Sequence, residues 1–309
     1  MYHVIVNPAS CSGKGFNIWK NKIEPALLKE RVPFRSYLSE KPGDVIRIAK
    51  EISANAAGDT SLSVIVLGGD GTVNETLQGI AEPMKLILGY IPTGSSNDLA
   101  RDLKIPKDPI EALHLILHAK VPVSMDLGTI TYSDGEKRRF LVSCGIGYDA
   151  AVCEEALHSP FKKTLNKLGL GKLIYLSVAL KQLLTAKAVS GRLTPDHGEN
   201  ISIGNMLFTC CMLHRFEGGG FMFAPNADPH DGILNLCAVG DISKSLILFA
   251  LPTAFYGKHY RFRGIMPYQG RHIVIETDKP LWVHTDGEVT RKENRLEISC
   301  EKDAFSMFL

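Results

Sequence analysis

The residues whose types suit chemistry fall into a few short stretches. Gly68-Gly69-Asp70-Gly71-Thr72 follows the apolar run Leu62 to Leu67 and precedes Val73-Asn74-Glu75, which opens a helical pattern. A strand, a glycine turn and a helix N-terminus aim several backbone N–H groups at one spot, which suits phosphate. Bare phosphate would repel Asp70, so that carboxylate makes sense there with a cation such as Mg²⁺ between them. Pro92-Thr93-Gly94-Ser95-Ser96-Asn97-Asp98 repeats the theme, although Ser, Asn and Asp also suit ordinary helix capping. Asn7 to Gly15, NPASCSGKG, is a third loop of small and polar residues. Late in the chain, His284-Thr285-Asp286-Gly287-Glu288-Val289 places two carboxylates on a tight turn. That turn is an ordinary hairpin or a device that projects acids toward a proton to be removed.

The elements that must position these residues alternate at first. Strand-like runs at Tyr2 to Val6, Phe34 to Leu38, Leu62 to Leu67, Leu86 to Ile91 and Val121 to Leu127 are separated by helical patterns. The helices are expected at Phe16 to Arg31, Pro42 to Ala57, beyond Thr72, Ser96 to Leu103 and Ile110 to Ala119. Such alternation predicts an open parallel α/β sheet, Rossmann-like, with ligands outside the carboxyl ends of the strands. All three polar loops lie at such ends. Beyond Gly128 short β runs dominate: Arg139 to Gly145, Gly191 to Thr194, Met206 to Met212, Ile233 to Val239, Ile273 to Thr277, Leu281 to Thr285 and Leu296 to Cys300. This predicts a β-rich antiparallel sandwich as second domain, interrupted by helices at Asp149 to His158 and Lys162 to Ala188. The expected domains are 1–127 with a returning 298–309, and 128–297.

Bulk properties narrow the function class. The 309 residues are 45% hydrophobic and 22% charged, as in a globular chain of two domains. A net charge of +2 argues against a general nucleic-acid binder. No leader-like segment opens the sequence and no apolar run is long enough to span a bilayer, so a cytoplasmic location is expected. The seven cysteines include no C-x-x-C pair, which suggests free thiols and no zinc.

GGDGTVNE at Gly68 to Glu75, PTGSSND at Pro92 to Asp98, NPASCSGKG at Asn7 to Gly15, GGGF at Gly218 to Phe221 and DGE at Asp286 to Glu288 occur here in order. Together they resemble the diacylglycerol kinase catalytic family, in particular its soluble bacterial lipid kinases. GGDGT alone is shared with NAD kinases and phosphofructokinases; paired with PTGSSND it is more specific to lipid kinases. The resemblance implies transfer of the ATP γ-phosphoryl group to a lipid hydroxyl, foremost that of diacylglycerol, in a cleft between the domains. It implies a nucleotide site built from Asn7, Ala9, Ser10, Ser39, Gly68, Gly69, Asp70, Gly71, Thr72, Glu75, Thr93, Gly94, Ser95 and Asn97. Asp70 would hold Mg²⁺, Asp98 and Asp126 would extend its carboxylate network, and Asp286 or Glu288 would be the general base. A structural Mg²⁺ would sit on Asp228, Asp231 and the Ile233 carbonyl. His230 and His284 have no obvious ligand partners. His214 to Gly220, HRFEGGG, departs from the tyrosines common in relatives before these glycines.

The lipid partner implies contact with a membrane. Phe161 to Ala188 carries Lys162, Lys163, Lys167, Lys172, Lys181 and Lys187 and no acid, with apolar residues at helical intervals. Leu246 to Tyr256, followed by Lys258, His259, Arg261 and Arg263, repeats the apolar-then-basic pattern. Both read as elements attracted to an anionic membrane surface, or as helices with a solvated lysine face. The sequence leaves homodimerisation open. The alternatives are an NAD kinase-like small-molecule kinase and a non-catalytic lipid-binding regulator of the same fold.

Overall fold

The structure is a computed structural model that describes residues 1–55, 61–158, 171–196 and 198–309. Its contacts divide the chain into a first unit, Met1–Leu127 with Glu301–Leu309, and a second unit, Gly128–Cys300.

In the first unit, β1 (Tyr2–Val6), β2 (Phe34–Leu38), β3 (Leu62–Gly68) and β4 (Leu86–Pro92) lie in the order β2-β1-β3-β4, with every neighbouring pair parallel. β3 and β4 are buried along nearly their whole length, which is why they read as continuous apolar runs rather than alternating ones. The end of β14 (Glu288–Met307) adds another parallel neighbour, Ser306 beside Ile87 and Met307 beside Leu88. Crossover helices α3 (Asp44–Ala54) and α4 (Asp70–Gly79) carry the chain between parallel strands, and α6 (Pro109–His118) follows β4. α3 buries Val45, Ile48, Ala49 and Ile52, the stripe its helical spacing demands.

The second unit is antiparallel. β12 (Ile265–Gly270), β11 (Leu234–Val239), β10 (Phe208–Met212), β7 (Ser143–Gly147) and β13 (His272–Thr285) follow one another across it. β13 pairs with β7 through Val283–Thr285 and with β8 (Val189–Pro195) through Ile273–Thr277, so one long strand serves two parts of the sandwich. β9 (Ile201–Met206) extends β8, and β5 (Val123–Thr131) pairs with β6 (Lys137–Phe140). Inward residues of these strands, among them Ile146, Cys211, Leu236, Ile275, Val283 and Leu296, form one buried core. Around it lie α7 (Tyr148–His158), α8 (Gly171–Thr185) and α9 (Lys244–Ala254). No helix among the described residues is long and apolar enough to cross a membrane.

Several element boundaries differ from those read in the sequence. The helix expected over Phe16 to Arg31 is α1 (Gly15–Ile18), a π-helical turn at Trp19–Ile23 and α2 (Glu24–Lys29). Pro25 lacks an N–H and its ring crowds the carbonyl four residues back, so the turn before it widens. α5 (Asp98–Asp102) starts later than Ser96 because Asn97 is left-handed. Arg139 to Gly145 divides into β6 and β7, and Met206 to Met212 into β9 and β10. Conversely, Ile273 to Thr277 and Leu281 to Thr285 are one strand, β13, whose register shifts between Glu276 and Leu281. Pro280 falls in that irregular stretch, where a missing donor costs no ladder bond. Leu296 to Cys300 is a fraction of β14, whose charged residues Arg291 to Glu297 concealed its length. Of the lysine-rich stretch, Lys162, Lys163 and Lys167 lie outside the described residues, as does the Lys172 side chain.

Candidate functional site

In the first unit the strands end together, and the loops that follow them are tied to one another. Asn7 N–H donates to the Leu67 carbonyl at 2.9 Å, and its side-chain amide donates to Thr72 Oγ1 at 3.1 Å. Thr93 Oγ1 donates to Ser10 Oγ at 2.8 Å, and Ser10 Oγ donates onward to the Asn7 carbonyl at 2.8 Å. Cys11 N–H donates to the Thr93 carbonyl at 2.8 Å, and Thr93 N–H to the Gly68 carbonyl at 2.7 Å. Cys11 and Ser12 are left-handed, which folds the loop back toward its start. Gly69 and Gly94 face each other backbone to backbone: a Cβ on Gly94 would lie 2.6 Å from the Gly69 Cα. Only glycines permit that approach.

Asp70 opens α4, where first-turn N–H groups precede the intrahelical ladder. Its carboxylate is oriented from two sides. Asp98 N–H donates to Oδ2 at 2.8 Å, and the Tyr90 hydroxyl lies 3.1 Å from Oδ1 and 3.2 Å from Asn97 Oδ1. Burial first, and then the Asp70 charge, push the Tyr90 pKa well above its ordinary value, so the hydroxyl keeps its proton to donate. Asn97 closes its own loop, accepting from Gly94 N–H at 2.9 Å and donating to the Gly94 carbonyl at 2.9 Å. An oriented, part-exposed carboxylate among amides and hydroxyls fits a cation-chelated phosphate.

The other nucleotide-site candidates lie near the same strand ends. Ser39 follows β2 and donates through its N–H to the Val6 carbonyl at 3.0 Å, while Glu75 accepts from Gly43 N–H at 3.4 Å. Ala9 N–H donates to Asn7 Oδ1 at 3.1 Å, and Ser95 is exposed on the bend beyond β4. Asp98 is buried and ion-paired with Arg101, and Asp126 is fully buried and accepts from Asp303 N–H at 3.0 Å. Both carboxylates thus have structural work to do in the first unit.

In the second unit, Asp286 and Gly287 both have positive φ, 49° and 82°, and join β13 to β14 in a two-residue hairpin of the primed type. The structure distinguishes the two acids of that turn. Asp286 Oδ1 accepts from Val142 N–H at 2.8 Å and Ser143 N–H at 2.9 Å, and Oδ2 accepts from Leu141 N–H at 2.9 Å. Its own N–H donates to the Ser143 carbonyl at 2.8 Å. Two of these donors, Leu141 and Val142, lie in the break between β6 and β7, and the third, Ser143, opens β7. Among the described residues, no hydrogen bond or ion pair reaches the Glu288 carboxylate.

Beside this turn is a cluster that sequence reasoning missed. His284 is fully buried, with Nε2 3.2 Å from Asp149 Oδ2 and 3.1 Å from Glu217 Oε1. Burial alone would lower its pKa, but Glu217 and Asp149 outweigh burial and hold it well above the ordinary value. Gly287 N lies 3.3 Å from Nδ1, which links the ring to the turn. Gly145 makes the cluster possible, because a Cβ there would collide with the Asp149 carboxylate and lie 2.5 Å from His284 Nε2. The Cys153 thiol, pushed up to about 11 first by burial, also feels the charges of His284, Glu217, Asp149 and Glu288. All five residues therefore share one locale. Among the described residues, Asp149, Glu217 and His284 are the three metal-ligating side chains whose ligand atoms come within 4.8 Å of one another. His284, which looked partnerless in the sequence, is thus the centre of the group. The second proposed metal set looks different: Asp228 Oδ1 accepts from His230 N–H at 3.1 Å, Asp231 Oδ1 accepts from Ile233 N–H at 2.8 Å, and the Ile233 carbonyl accepts from Asn235. These are bonds of a polar turn closing on itself.

The family model of the diacylglycerol kinase catalytic domain matches residues 1–130, and that of the YegS C-terminal NAD kinase beta sandwich-like domain matches residues 142–303. The chain belongs to the diacylglycerol kinase catalytic family. It is 28% identical over 289 residues to the candidate lipid kinase YtlR of Bacillus subtilis (strain 168), covering 92% of each chain. A diacylglycerol kinase of Staphylococcus aureus (strain Newman) is 27% identical over 310 residues, covering 98% of this chain and 91% of its own. Among solved structures, a candidate diacylglycerol kinase from Bacillus anthracis str. Sterne superposes with a TM-score of 0.76 at 25% identity, covering 99% of this chain and 96% of that one. The mixed architecture, a catalytic α/β part followed by a β sandwich, is that of the family.

Proposed function

We propose that the protein is an ATP-dependent lipid kinase that transfers the γ-phosphoryl group to a lipid hydroxyl, with diacylglycerol the first acceptor to test and phosphatidic acid its product. The observation that supports this most is the mutual bracing of the three strand-end loops around an oriented Asp70, in a chain whose relatives are named as lipid kinases. The α4 first turn, Gly69, Gly94, Thr72 and Thr93 would hold the phosphates, and Asp70 would hold the accompanying Mg²⁺. When bound, that cation neutralises charge on the phosphates.

The remaining chemistry belongs to the chain itself. Phosphoryl transfer needs positioning and a proton acceptor for the attacking hydroxyl. Glu288 suits the acceptor role because, among the described residues, no hydrogen bond or ion pair occupies its carboxylate, whereas Asp286 spends its oxygens on three amides. Asp286 then sets the turn from which Glu288 projects. His284 and Gly287 join that turn to Asp149 and Glu217 and fix its orientation.

The test is a panel of acceptors with labelled ATP and Mg²⁺: dispersed diacylglycerol, sphingosine, ceramide and NAD. NAD belongs in it because the second unit matches an NAD kinase beta sandwich-like model. Labelled lipid as product supports the reading. Labelled NADP with no labelled lipid would replace it with the small-molecule kinase, and lipid binding without ATP turnover would replace it with the regulator.

A further inference from the structure

The outward face of α9 is apolar where a solvent-facing helix should be polar. α9 buries Ile247, Ala250 and Ala254 against the second unit, a stripe at the usual helical spacing. The opposite face presents Ser245, Leu248, Phe249, Pro252 and, just past the helix end, Tyr256, and it carries no charge. Phe249 is 72% exposed and Tyr256 is 75% exposed.

The patch does not stop at α9. Among the described residues, the exposed large hydrophobics of the second unit all lie between Leu246 and Tyr256 or at Leu180 and Leu184 on α8. The two places are joined: Lys244 Nζ donates to the Leu184 carbonyl at 2.7 Å and the Ala186 carbonyl at 2.8 Å. That ammonium caps the end of α8 and holds the two apolar faces side by side. A contiguous exposed apolar patch of this kind marks an interaction surface rather than ordinary scatter.

The charge around the patch decides the partner. Residues 242–275 contain Lys244, Lys258, Arg261, Arg263 and Arg271 and no Asp or Glu. Lys258, Arg261 and Arg263 are exposed and follow the apolar face directly. An apolar face followed by exposed bases complements a surface that is apolar inside and anionic at its boundary. An aromatic with a polar tip, such as Tyr256, suits the same boundary. We infer that the outward face of α9, with the end of α8, docks on an anionic bilayer, Phe249 and Tyr256 entering the headgroup boundary and Lys258, Arg261 and Arg263 meeting its negative charge. This gives the lipid-kinase reading a route to its substrate, yet it stands on the exposed face alone.

The experiment is sedimentation of the full chain with phosphatidylcholine vesicles, either pure or containing about one-third phosphatidylglycerol, without nucleotide or added acceptor. The wild type is expected to bind the anionic vesicles and bind pure phosphatidylcholine much less. Phe249→Glu with Tyr256→Glu should lower binding about tenfold or more, and Lys258→Glu with Arg261→Glu should do the same and remove the lipid-charge dependence. These positions face outward, so unfolding temperatures should stay near wild type. Anionic-vesicle binding unchanged in the Phe249/Tyr256 variant would overturn the proposal. So would a wild type that elutes as a dimer and a variant that elutes as a monomer with vesicle binding intact, which would assign the face to a second copy of the chain. Because no kinase step is read, failure of the lipid-kinase reading leaves this result standing, and the reverse holds too.

Discussion

Replacing each acid of the hairpin turn in turn separates holding the turn from doing chemistry. Asp286→Ala removes an acceptor of three backbone hydrogen bonds. Hydrogen bonds to a charged group contribute about 1.5–3 kcal/mol each, but water partly replaces them at a half-exposed turn, so a net loss of about 2–4 kcal/mol is expected. Asp286→Asn keeps an oxygen for Val142 and Ser143 and loses the bond from Leu141, which costs about 1–2 kcal/mol. Asn also tolerates the φ of 49° at this position. Glu288→Gln removes no hydrogen bond and should change stability by less than about 0.5 kcal/mol. If Glu288 takes the proton, that near-isosteric change should slow phosphoryl transfer by about 10²–10⁴-fold, and Asp286→Asn should keep most of the rate once folded. The assays are labelled-phosphate transfer to dispersed diacylglycerol and thermal unfolding on the same preparations. A fully folded, inactive Asp286→Asn beside a Glu288→Gln that retains more than half the activity would refute the reasoning and return the base to Asp286.

Three further outcomes follow from the same geometry. Because its partners raise the His284 pKa, the ion pairing with Asp149 and Glu217 stabilises the fold fully below the ordinary imidazole value of about 6.5, and that stability is lost as pH rises through the raised folded value. Denaturant unfolding of wild type should therefore weaken toward alkaline pH, with His284→Gln giving a flatter profile; parallel profiles would refute the assignment. Gly94→Ala places a Cβ 2.6 Å from the Gly69 Cα, so it should lower nucleotide affinity at least about tenfold in calorimetry with little change in the second unit. Tyr90→Phe removes the donor to Asp70 and should cost about 1–2 kcal/mol of stability while weakening Mg²⁺-nucleotide binding more than nucleotide binding without the cation.

What could be read from the sequence followed the range over which each signal acts. The alternation of Leu62 to Leu67, glycine turn and helix is local, so the α/β sheet and the β-rich second part were legible. The position of Gly68 to Thr72 and Pro92 to Asp98 at strand ends was legible for the same reason, since glycine and helix-capping residue types mark where a strand turns into a helix. What those types do not state is which loop braces which. Thr93 meets Ser10, 83 positions away, only because β1, β3 and β4 lie side by side. β14 was hidden because its middle, Arg291 to Glu297, is largely charged, leaving no continuous apolar run to mark it.

The roles of the turn acids lay furthest out of reach. Asp286 is committed because the break between β6 and β7 and the first residue of β7 present three amides to it, and those residues are roughly 145 positions away in the chain. His284 is committed because β13 runs beside β7 with Gly145 opposite, and only a residue without a side chain leaves room there for the Asp149 carboxylate. One signal was available: Gly145 and Gly147 interrupt an otherwise apolar strand, and glycine inside a strand marks a close approach by another group. The group approaching at Gly145 is an ion pair buried under α7, a helix whose acid Asp149 would otherwise read as an ordinary first-turn residue. A carboxylate's identity therefore says that it can accept a proton, and the amides within its reach decide whether it is free to do so. On that ground the proposed proton acceptor is Glu288, whose carboxylate has no hydrogen bond or ion pair among the described residues, rather than Asp286.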